Sequence, residues 1–558
     1  MTEEDIARIA RQAVQSAMGE QQRKSRSFSC RNFLVGCFLA VFFQGVFHLA
    51  SKGPEGLSDI ARYTQSMATR AMSMARDVPF KVPDGVPPIG IGALAPAPRV
   101  AFPNITDWRP SGSPVLRYSL EVITAAFAAH GYVEVPMEWK TNEDGTVEGQ
   151  WDVMWSYHYP FRMFFKEMKQ LKPHQRVNHF PGPGAYFTNK TVLASHFKEI
   201  ACIPTAFQLP HQHAEYLEYS KENLDTMWVV KSAGHRGVKV VTPDQVPADA
   251  SQVFVQEYVK DALLIDNHRF DMGVYVAITS LNPLKVFVYD DALMRFCIKE
   301  YDAANFKPED LDTYVIGDKY TPPWDMPSLS PMYDRGLTTK QAITAYWAKH
   351  GVDGKKLFEN LHAAIADVLI KFEPGVFRSN VVFPGPRNRY FELFRFDFVF
   401  DKQLRPWLME CNMSPNLSAA KTAGLRSMFQ RIAYDLLSLA GLGNLDRTAP
   451  ISSLERRTSY QKYNHMLEPG PELCNPADRG QCNCEDTLQA CHVCSYCTAG
   501  PMRTALLAAA AEEHLNKRGF IRVKMEPSAF KDKETIPKNR MLHHWYKSKC
   551  ETDAAWCQ

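Results

Sequence analysis

The sequence lacks an excess of charge of either sign, and it shows no internal repeat. Its 558 residues carry a formal net charge of only +3, so the chain as a whole has no attraction for nucleic acid or for an acidic partner. Hydrophobic residues make up 45% of the chain and charged residues 22%, which is typical of a globular protein with a large core. A soft prior of roughly 150 residues per domain predicts about three domains.

A long run without charged residues occurs near the N-terminus, at Phe33–Ala50. Its 18 residues contain no Asp, Glu, Lys or Arg, which is about the minimum for a helix that spans a bilayer. Gln44 and His48 favour the alternative of a buried core helix. The run lies deep in the chain and lacks a small-residue cleavage site, which excludes an ordinary signal peptide. We therefore predict a transmembrane helix that anchors the chain in a membrane.

Basic residues are more numerous before this run than after it. Arg23, Lys24, Arg26 and Arg31 precede it, whereas Lys52 and Arg62 follow it. The positive-inside rule then places residues 1–32 in the cytoplasm and the rest of the chain across the membrane, the topology of a type II single-pass protein. Residues 51–111 are rich in proline in their second half, which predicts an extended, semi-rigid stem.

The stretch Phe391–Ser418 is predicted to form a β-hairpin, and we expect the rest of the chain to be organised around it. Four phenylalanines occupy every second position near its start, and this period of two predicts a β-strand. Asp401–Gln403 supplies a turn, and residues 406–412 predict a second, antiparallel strand.

Three oxygen-bearing side chains share one face of the predicted hairpin, namely those of Asp397, Glu410 and Asn412. Such groups are costly on apolar strands unless a positive charge lies near them. Mg²⁺ takes oxygen ligands and commonly binds one or two carboxylates together with substrate phosphates. We predict a Mg²⁺ site here; the alternative is a polar hairpin edge that faces water.

Segments earlier in the chain are predicted to form the strands, loops and helices around this site. Residues 227–241 predict two strands joined by a loop, in which Lys231 ends the first strand and two glycines allow the loop to close over a ligand. A loop of this kind also occurs in hairpins that bind no ligand, so the loop alone does not show that a ligand binds here. Further predictions are helices at 116–130, 191–198, 338–350 and 355–370, strands at 132–135, 151–155, 254–260, 274–280 and 284–289, and a polar loop at 175–182.

A lysine on a strand, a glycine loop, further strands and a late carboxylate hairpin follow the order of an ATP-grasp fold. The residues also resemble one family with that fold, the tubulin–tyrosine ligase-like amino-acid ligases and in particular the glutamylases, across roughly 151–440. The fold class expected is therefore α/β (α+β), with an ATP-grasp-like ligase domain at 112–445. The resemblance is carried by WDVMW, QRVNHFPG, PTAFQLP, VVKSAGHRGV, VQEYVKDALLIDNHRFD, VYVAITSLNPLKVFVYDDALMRF and FELFRFDFVFDKQLRPWLMECNMSPNLS.

The resemblance implies an ATP- and Mg²⁺-dependent ligase, a tubulin polyglutamylase that joins free glutamate to glutamate side chains of tubulin C-terminal tails through an acyl phosphate. One alternative is a membrane-tethered pseudoenzyme that binds nucleotide or microtubules without ligation. Another is a ligase for a lumenal protein other than tubulin. The charge rule favours the lumen for the ligase domain and the tubulin resemblance favours the microtubule-containing cytosol, so both sides stay open.

The same resemblance implies roles for individual residues. Arg295 binds the carboxylate of the incoming amino acid, and Lys319 is a second catalytic residue. The metal ligands are Asp397, Glu410 and Asn412. The ATP-binding residues are Lys190 and Lys231 at the phosphates, Arg236 and Gly237 in the covering loop, Gln256, Glu257, Tyr258 and Val259 at the adenine, and Arg269 and Asp271.

Several positions depart from the family pattern. Gly273 stands where the family has an arginine, and Arg395 stands where a glycine usually precedes the strand aspartate. Arg269 replaces a lysine, and residues 311–319 replace a characteristic loop, with Thr313 in place of its asparagine. Loss of a charged contact costs roughly 1.5–3 kcal/mol. We therefore expect a retained nucleotide and metal site with an altered amino-acid pocket.

The region 446–558 lies outside the resemblance and is rich in cysteine. An even number of cysteines in one segment predicts either disulfide bonds or a zinc site, and the spacing matches no standard zinc finger closely. A lumenal location favours four disulfides and a cytosolic one favours metal; we favour disulfides, in line with the predicted topology. The eight cysteines are Cys474, Cys482, Cys484, Cys491, Cys494, Cys497, Cys550 and Cys557.

Overall fold

A computed structural model describes residues 97–443, with gaps at 104, 107–114, 196–198, 233–237, 248–252, 303, 305–306, 308, 318, 384, 387 and 419–422. In the C-terminal region it describes 474, 480, 482–484, 486, 490–494, 496–498, 500–532 and 535–557. The predicted transmembrane segment Phe33–Ala50 and most of the predicted stem lie outside these residues.

The localisation expected from the sequence, a type II single-pass membrane protein, is corrected by the structure. Among the residues just given, no helix is both long enough and apolar enough to cross a membrane.

The described part of the chain mixes strands and helices throughout, which confirms the mixed α/β class. In chain order the strands are β1 (Arg99–Ala101), β2 (Ile105–Thr106), β3 (Val115–Leu116), β4 (Val133–Val135), β5 (Trp139–Thr141), β6 (Val147–Gly149), β7 (Val153–Met154), β8 (Arg176–Val177), β9 (Ala206–Leu209), β10 (Trp228–Ser232), β11 (Lys239–Val241), β12 (Val253–Glu257), β13 (Leu264–Ile265), β14 (His268–Leu281), β15 (Leu284–Phe296), β16 (Glu392–Phe400), β17 (Pro406–Met413) and β18 (Phe520–Arg522).

The α-helices range from single turns to one long helix in the middle of the chain. They are α1 (Glu121–Ala129), α2 (Pro160–Met163), α3 (Lys190–Ser195), α4 (His213–Glu222), α5 (Leu311–Tyr314), α6 (Ser330–Tyr333), α7 (Thr339–Lys349), α8 (Gly354–Val381), α9 (Ala423–Leu439), α10 (Gly500–Ala511) and α11 (Ile536–Thr552).

The largest sheet has six strands and forms the centre of the fold. Its order is β17-β16-β14-β15-β18, with β13 paired to β14, and the neighbouring strands run antiparallel. The long strands β14 and β15 form a hairpin that turns at Asn282 and Pro283. The predicted hairpin at 391–418 is confirmed as β16 and β17, and Asp397 lies opposite Glu410.

The two faces of this sheet bury different helices. On one face, the phenylalanines of β16 share a core with Leu361 and Ile365 of α8, because every second side chain of a strand points the same way. On the other face, Tyr275 and Leu393 share a core with Ile432 of α9 and with α1. Both faces are therefore covered by helices along much of the sheet.

Two smaller sheets flank the central one. A parallel sheet has the order β4-β1-β7-β8, and an antiparallel sheet has the order β11-β10-β12-β9. Because Arg99–Ala101 is a strand of the parallel sheet, the fold begins before residue 112, and the predicted boundary between stem and ligase domain is too late.

The segment 175–182, predicted as a polar loop, contains β8 and is largely buried. Gln175 donates from Nε2 to the carbonyl oxygen of Trp151 at 2.9 Å. The side chain of Asn178 accepts from the backbone N–H of Ser156 at 2.7 Å. These polar groups are buried because each finds a backbone partner.

Helix α8 extends beyond the predicted end at residue 370 and includes Pro374. Phe372 and Val376, on either side of the proline, are buried in the main core. Gly375 packs against the ring of Tyr186, where an added Cβ would lie 2.6 Å from the ring. Core packing therefore offsets the cost of a proline inside a helix, which is about 3 kcal/mol.

The C-terminal region is integrated into this fold. β18 extends the central sheet, with Arg522 opposite Phe287 of β15. Asn539 of α11 accepts the backbone N–H of Leu284 at 2.7 Å through Oδ1.

Disulfide bonds cross-link the described cysteines of this region, which confirms the favoured prediction. The sulfurs of Cys482, Cys484 and Cys497 lie within 4.8 Å of one another, but each belongs to a disulfide, so none is a thiolate ligand for zinc. Cys550 is disulfide-bonded as well. The described pairs are Cys474–Cys494, Cys482–Cys491 and Cys484–Cys497.

Candidate active site

The central sheet carries charged side chains where one of its apolar faces ends. On β14, Asp271 lies four residues before the buried Tyr275 and therefore on the same face of the sheet. Asp271 pairs in register with Arg295 of β15, and Asp397 of β16 pairs with Glu410 of β17. Four strands thus bring these charges onto one surface.

Asp397 is the centre of a buried cluster of ion pairs, with its side chain only 2% exposed. Arg395 donates to it twice, from Nε to Oδ1 at 2.6 Å and from Nη2 to Oδ2 at 2.8 Å. Arg295 donates from Nη2 to the same Oδ2 at 3.2 Å and forms a fork with Asp271. Burial raises the pKa of Asp397 and that of Asp271, the latter to about 6, while the guanidinium groups act to lower both. Two arginines therefore balance two buried carboxylates.

Glu410 and Asn412 complete the predicted trio on β17. Asn412 donates from Nδ2 to Asp397 Oδ2 at 3.1 Å and to Glu410 Oε1 at 3.0 Å. Lys190, at the start of α3, lies with Nζ 2.5 Å from Glu410 Oε2. Burial acts to raise the pKa of Glu410, but the charge and hydrogen bond of Lys190, together with hydrogen bonds to Asn412 and Asp397, lower the pKa to about 2. The three side chains share one face as predicted, and their role as metal ligands stays a prediction.

The smaller antiparallel sheet contributes Lys231 to the same group of charges. Its Nζ donates to Gln256 Oε1 on β12 at 2.7 Å. Burial lowers the pKa of Lys231 to about 8; Glu410 acts to raise it, and Lys190 and Arg269 lower it further. Because these charges act on one another, the two predicted phosphate-binding lysines and Glu410 form one electrostatic group.

The residues predicted at the adenine pocket also hold one another in place. The guanidinium carbon of Arg269 lies 4.5 Å from the ring centroid of Tyr258. Arg269 donates from Nη1 to the carbonyl oxygen of Val259 at 2.6 Å. Glu257 accepts from the hydroxyl of Tyr219 at 2.9 Å. These contacts fix the end of β12, and contact with an adenine base stays a prediction.

One described residue of the prediction is not brought into this cluster, and two others lie outside the described residues. Arg236 and Gly237 lie outside the described residues, between β10 and β11. Lys319 is exposed, and no hydrogen bond or ion pair given by the described residues joins it to Arg295 or Asp397. The catalytic role of Lys319 stays a prediction.

Arg395 has a role that the sequence did not predict. The resemblance marks it as a departure from a usual glycine, whereas the structure makes it the bidentate partner of Asp397. The signal was present in the strand pattern, because residues two apart on a strand point to the same face. An arginine beside a carboxylate on one face is a candidate ion pair.

His179 and Glu392, the first residue of β16, form a second buried pair. The sequence did not predict this pair. His179 Nδ1 lies 2.8 Å from Glu392 Oε1, and both side chains are almost fully buried. Glu392 also accepts the backbone N–H of Phe180 at 2.8 Å. His179 Nε2 lies 3.2 Å from the hydroxyl of Ser414, two residues after Asn412. The pair therefore positions the chain that leaves the site.

A small pocket adjoins this pair. Its lining includes Trp155, His179, Leu393 and Ser414. None of the residues predicted to bind nucleotide or metal is part of the lining. The pocket is therefore separate from the charged cluster.

The charged cluster fits a hard divalent cation in ligand type and placement. The side chain of Glu410 is 24% exposed, so a ligand reaches it from solvent. Asn412 turns its amide nitrogen toward both carboxylates, so its oxygen becomes a metal ligand only when the amide group rotates. Asp397 accepts from two arginines, whose positive charges oppose a cation at the same carboxylate.

Comparison with known proteins places the cluster within a family match. A family model described as "Tubulin-tyrosine ligase family" matches residues 166–448, which include every residue predicted for the site. A Caenorhabditis elegans protein named "Probable tubulin polyglutamylase ttll-15" is 32% identical over 428 residues, covering 75% of this chain and 80% of that protein.

Human relatives match over a smaller share of their own length. Human "Tubulin polyglutamylase TTLL5" is 27% identical over 392 residues, which cover 65% of this chain and 28% of that protein. Human "Tubulin monoglutamylase TTLL4" is 28% identical over 321 residues, which cover 54% of this chain and 25% of that protein. The mixed α/β architecture is consistent with the ATP-grasp-like fold expected from the sequence.

Proposed function

The chain belongs to the tubulin-tyrosine ligase family, and on this premise we propose that it is an ATP-dependent ligase that adds glutamate to tubulin. The names of its relatives, tubulin polyglutamylases and a tubulin monoglutamylase, support this substrate pair. The observation that carries the proposal is the single group of charges formed by Lys190, Lys231, Asp397 and Glu410 within the matched region. The proposed acceptors are glutamate side chains of the tubulin C-terminal tails.

The proposed reaction forms an amide between a tubulin carboxylate and the amine of free glutamate. An amine does not displace an oxygen from a carboxylate until that oxygen becomes part of a leaving group. ATP supplies the leaving group by transfer of its γ-phosphoryl group, which gives an acyl phosphate and ADP. The amine then attacks the acyl carbon, phosphate leaves, and the nitrogen loses a proton. The task of the protein is to position the reactants and to neutralise charge.

Lys190 and Lys231 are the cations proposed for the phosphates of ATP. With a pKa of about 8, Lys231 is mainly protonated at neutral pH despite its burial. Charges in a partly buried site are weakly screened by water, so each ammonium interacts strongly with a phosphate. Gln256 holds Lys231 in position through the 2.7 Å hydrogen bond.

Asp397, Glu410 and Asn412 would hold Mg²⁺, which when bound offsets negative charge on the phosphoryl group in transfer. Lys190 keeps Glu410 ionised, as a metal ligand requires. Arg295 is the guanidinium proposed for the carboxylate of the incoming glutamate. Its fork to Asp271 fixes its orientation in advance.

Transfer of labelled glutamate to tubulin tests this function. The purified full chain with ATP and Mg²⁺ is expected to incorporate labelled glutamate into tubulin, and Glu410→Gln is expected to abolish incorporation. Glu359→Gln is the matched control, because Glu359 lies on α8 with its side chain 64% exposed. Absence of incorporation by folded wild-type protein contradicts the proposal.

A second candidate function is favoured by the fork between Arg395 and Asp397. A guanidinium on a metal ligand suits a pseudoenzyme that binds nucleotide or microtubules without ligation. This candidate predicts that the protein binds ATP or co-sediments with microtubules while incorporating no amino acid. Turnover by the wild-type protein rules it out.

A further inference from the structure

Gly273 leaves the space that Arg395 occupies. On β14, Gly273 lies in register with Asp397 of β16. A Cβ added at Gly273 would lie 2.8 Å from Cδ of Arg395 and 3.0 Å from Oδ1 of Asp397. Any side chain at this position therefore collides with the stem of Arg395. The glycine is needed here for space, and the arginine of the neighbouring strand fills that space.

Asp397 accepts four hydrogen bonds, three of them at one oxygen. One N–H group reaches Oδ1, from Arg395, and three reach Oδ2, from Arg395, Arg295 and Asn412. Each oxygen of a carboxylate offers about two lone-pair sites, so Oδ2 is fully used and Oδ1 keeps one site beside the Arg395 guanidinium. A divalent cation therefore reaches Oδ2 only if a donor leaves, and reaches Oδ1 only against the positive charge of Arg395.

Arg395 is the donor that holds Asp397 most strongly. It forms the two shorter bonds of the four, at 2.6 and 2.8 Å. Arg295, by contrast, is tied to Asp271 by a fork of its own and makes a single 3.2 Å bond to Asp397. Among the described residues Arg395 forms its ion pair with Asp397 alone, whereas Arg295 is shared between Asp397 and Asp271, so Arg395 is the more direct competitor for a cation at Asp397.

We propose that Arg395 is a counter-ion built into the site that competes with a divalent cation for Asp397. The proposal rests on the metal site of the proposed function and deepens it. Metal binding at Asp397, Glu410 and Asn412 is then an exchange, in which the guanidinium of Arg395 gives up Asp397 as the cation arrives. The consequence is a lower affinity for the free divalent ion than the same ligands would have without Arg395.

Binding of Mn²⁺, measured by calorimetry on the full chain without nucleotide, tests the exchange. Arg395→Met removes the guanidinium and retains most of the side-chain volume, and it is expected to bind Mn²⁺ about 10- to 100-fold more tightly than the wild type, the span of one or two charged hydrogen bonds. Arg395→Lys keeps the charge without the fork, so a smaller gain is expected. Arg405→Met is the matched control, because Arg405 lies in the same hairpin with its side chain 60% exposed.

The variants separate this proposal from the proposed function. If Glu410→Gln abolishes Mn²⁺ binding while Arg395→Met and Arg395→Lys bind as weakly as the wild type, the metal site stands and the exchange is wrong. If wild type and both Arg395 variants bind no Mn²⁺, both proposals are wrong. If Arg395→Met fails to fold, the affinity of Arg395→Lys decides: a gain over the wild type supports the exchange, and no gain overturns it.

Discussion

Asp271 of β14 and Arg295 of β15 lie opposite each other in register and form a two-pronged ion pair. Arg295 donates from Nε to Oδ1 at 2.9 Å and from Nη2 to Oδ2 at 2.7 Å. Their side chains are 19% exposed for Arg295 and 10% for Asp271. Burial raises the pKa of Asp271 to about 6 even though Arg295 acts to lower it. Asp271 therefore depends on Arg295 to stay ionised at neutral pH.

Arg295→Met is expected to destabilise the protein by roughly 3–5 kcal/mol at neutral pH, because it leaves an unpaired buried carboxylate. Without Arg295 the pKa of Asp271 rises above about 6, so protonation relieves the unpaired charge at lower pH. The loss of unfolding free energy in denaturant is therefore expected to be smaller near pH 5 than near pH 8.

Arg426→Met is the control for this experiment, because its ion pair with Glu121 is exposed. Its effect is expected to stay within about 1 kcal/mol at either pH. An equal loss of stability at both pH values for Arg295→Met contradicts the assignment of Asp271 as the group that titrates.

Glu373 of α8 gives a pH-dependent contribution to stability. Burial raises its pKa to about 7, although the hydroxyl of Thr535 donates to it at 2.9 Å and acts to lower the pKa. A carboxyl group whose pKa is raised in the folded state does not lower the unfolding free energy below its unfolded pKa, near 4.5. Above pH 7 it lowers the unfolding free energy by its full amount. As the pH rises from 4.5 to above 7, the unfolding free energy of Glu373→Gln is therefore expected to increase relative to that of the wild type by up to roughly 3 kcal/mol.

Thermal unfolding at several pH values measures this gain, with Glu359→Gln as the control on the same helix. Glu359 is exposed, so its replacement is expected to give a difference from the wild type that does not change with pH. A pH-independent effect of Glu373→Gln rules out a buried carboxyl group that titrates near neutrality.

Gly273→Arg is expected to destabilise the protein unless Arg395 is replaced as well. The new side chain collides with the stem of Arg395 and adds a third guanidinium to a cluster of two aspartates. Overpacking of this kind costs about 1–3 kcal/mol. In the double variant with Arg395→Gly, most of the lost stability is expected to return, as judged by melting temperature. Simple addition of the two single effects contradicts the shared space.

The disulfides predict which cysteines react in the native protein. Alkylation without reductant is expected to leave Cys474, Cys482 and Cys484 and their partners unmodified, because all are disulfide-bonded. Cys202, Cys297 and Cys411 are free thiols, but all three are buried and are expected to react only on unfolding. Peptide mass mapping identifies each cysteine. Alkylation of the bonded cysteines in the native protein is the contrary result.

The predictable part of the site followed from local pattern. The alternating phenylalanines of β16 gave the strand, and the two-residue spacing of Glu410 and Asn412 gave their common face. Lys231 at the end of β10 followed in the same way, from a buried run that stops at a polar loop. In each case the information lies within about ten residues of sequence.

The unpredicted part depends on contacts between distant segments. Glu392 and His179 are more than two hundred residues apart, so neither segment shows that the other compensates its charge. The pairing of β18 with β15 has the same origin, since a strand of three residues has almost no local signal. Helix α8 continues past Pro374, which local helix propensity does not predict, because the packing of Gly375 against Tyr186 outweighs the cost of the proline.

The most direct test of the central claim is the intact mass of tubulin C-terminal tails after incubation with the full chain, ATP, Mg²⁺ and free glutamate. The account predicts tails heavier by whole glutamyl residues, with one ADP and one phosphate released for each residue added, and no such product from Glu410→Gln. ADP release without a mass increase on tubulin, or unchanged tails with no ADP release from folded protein that binds ATP, would contradict it.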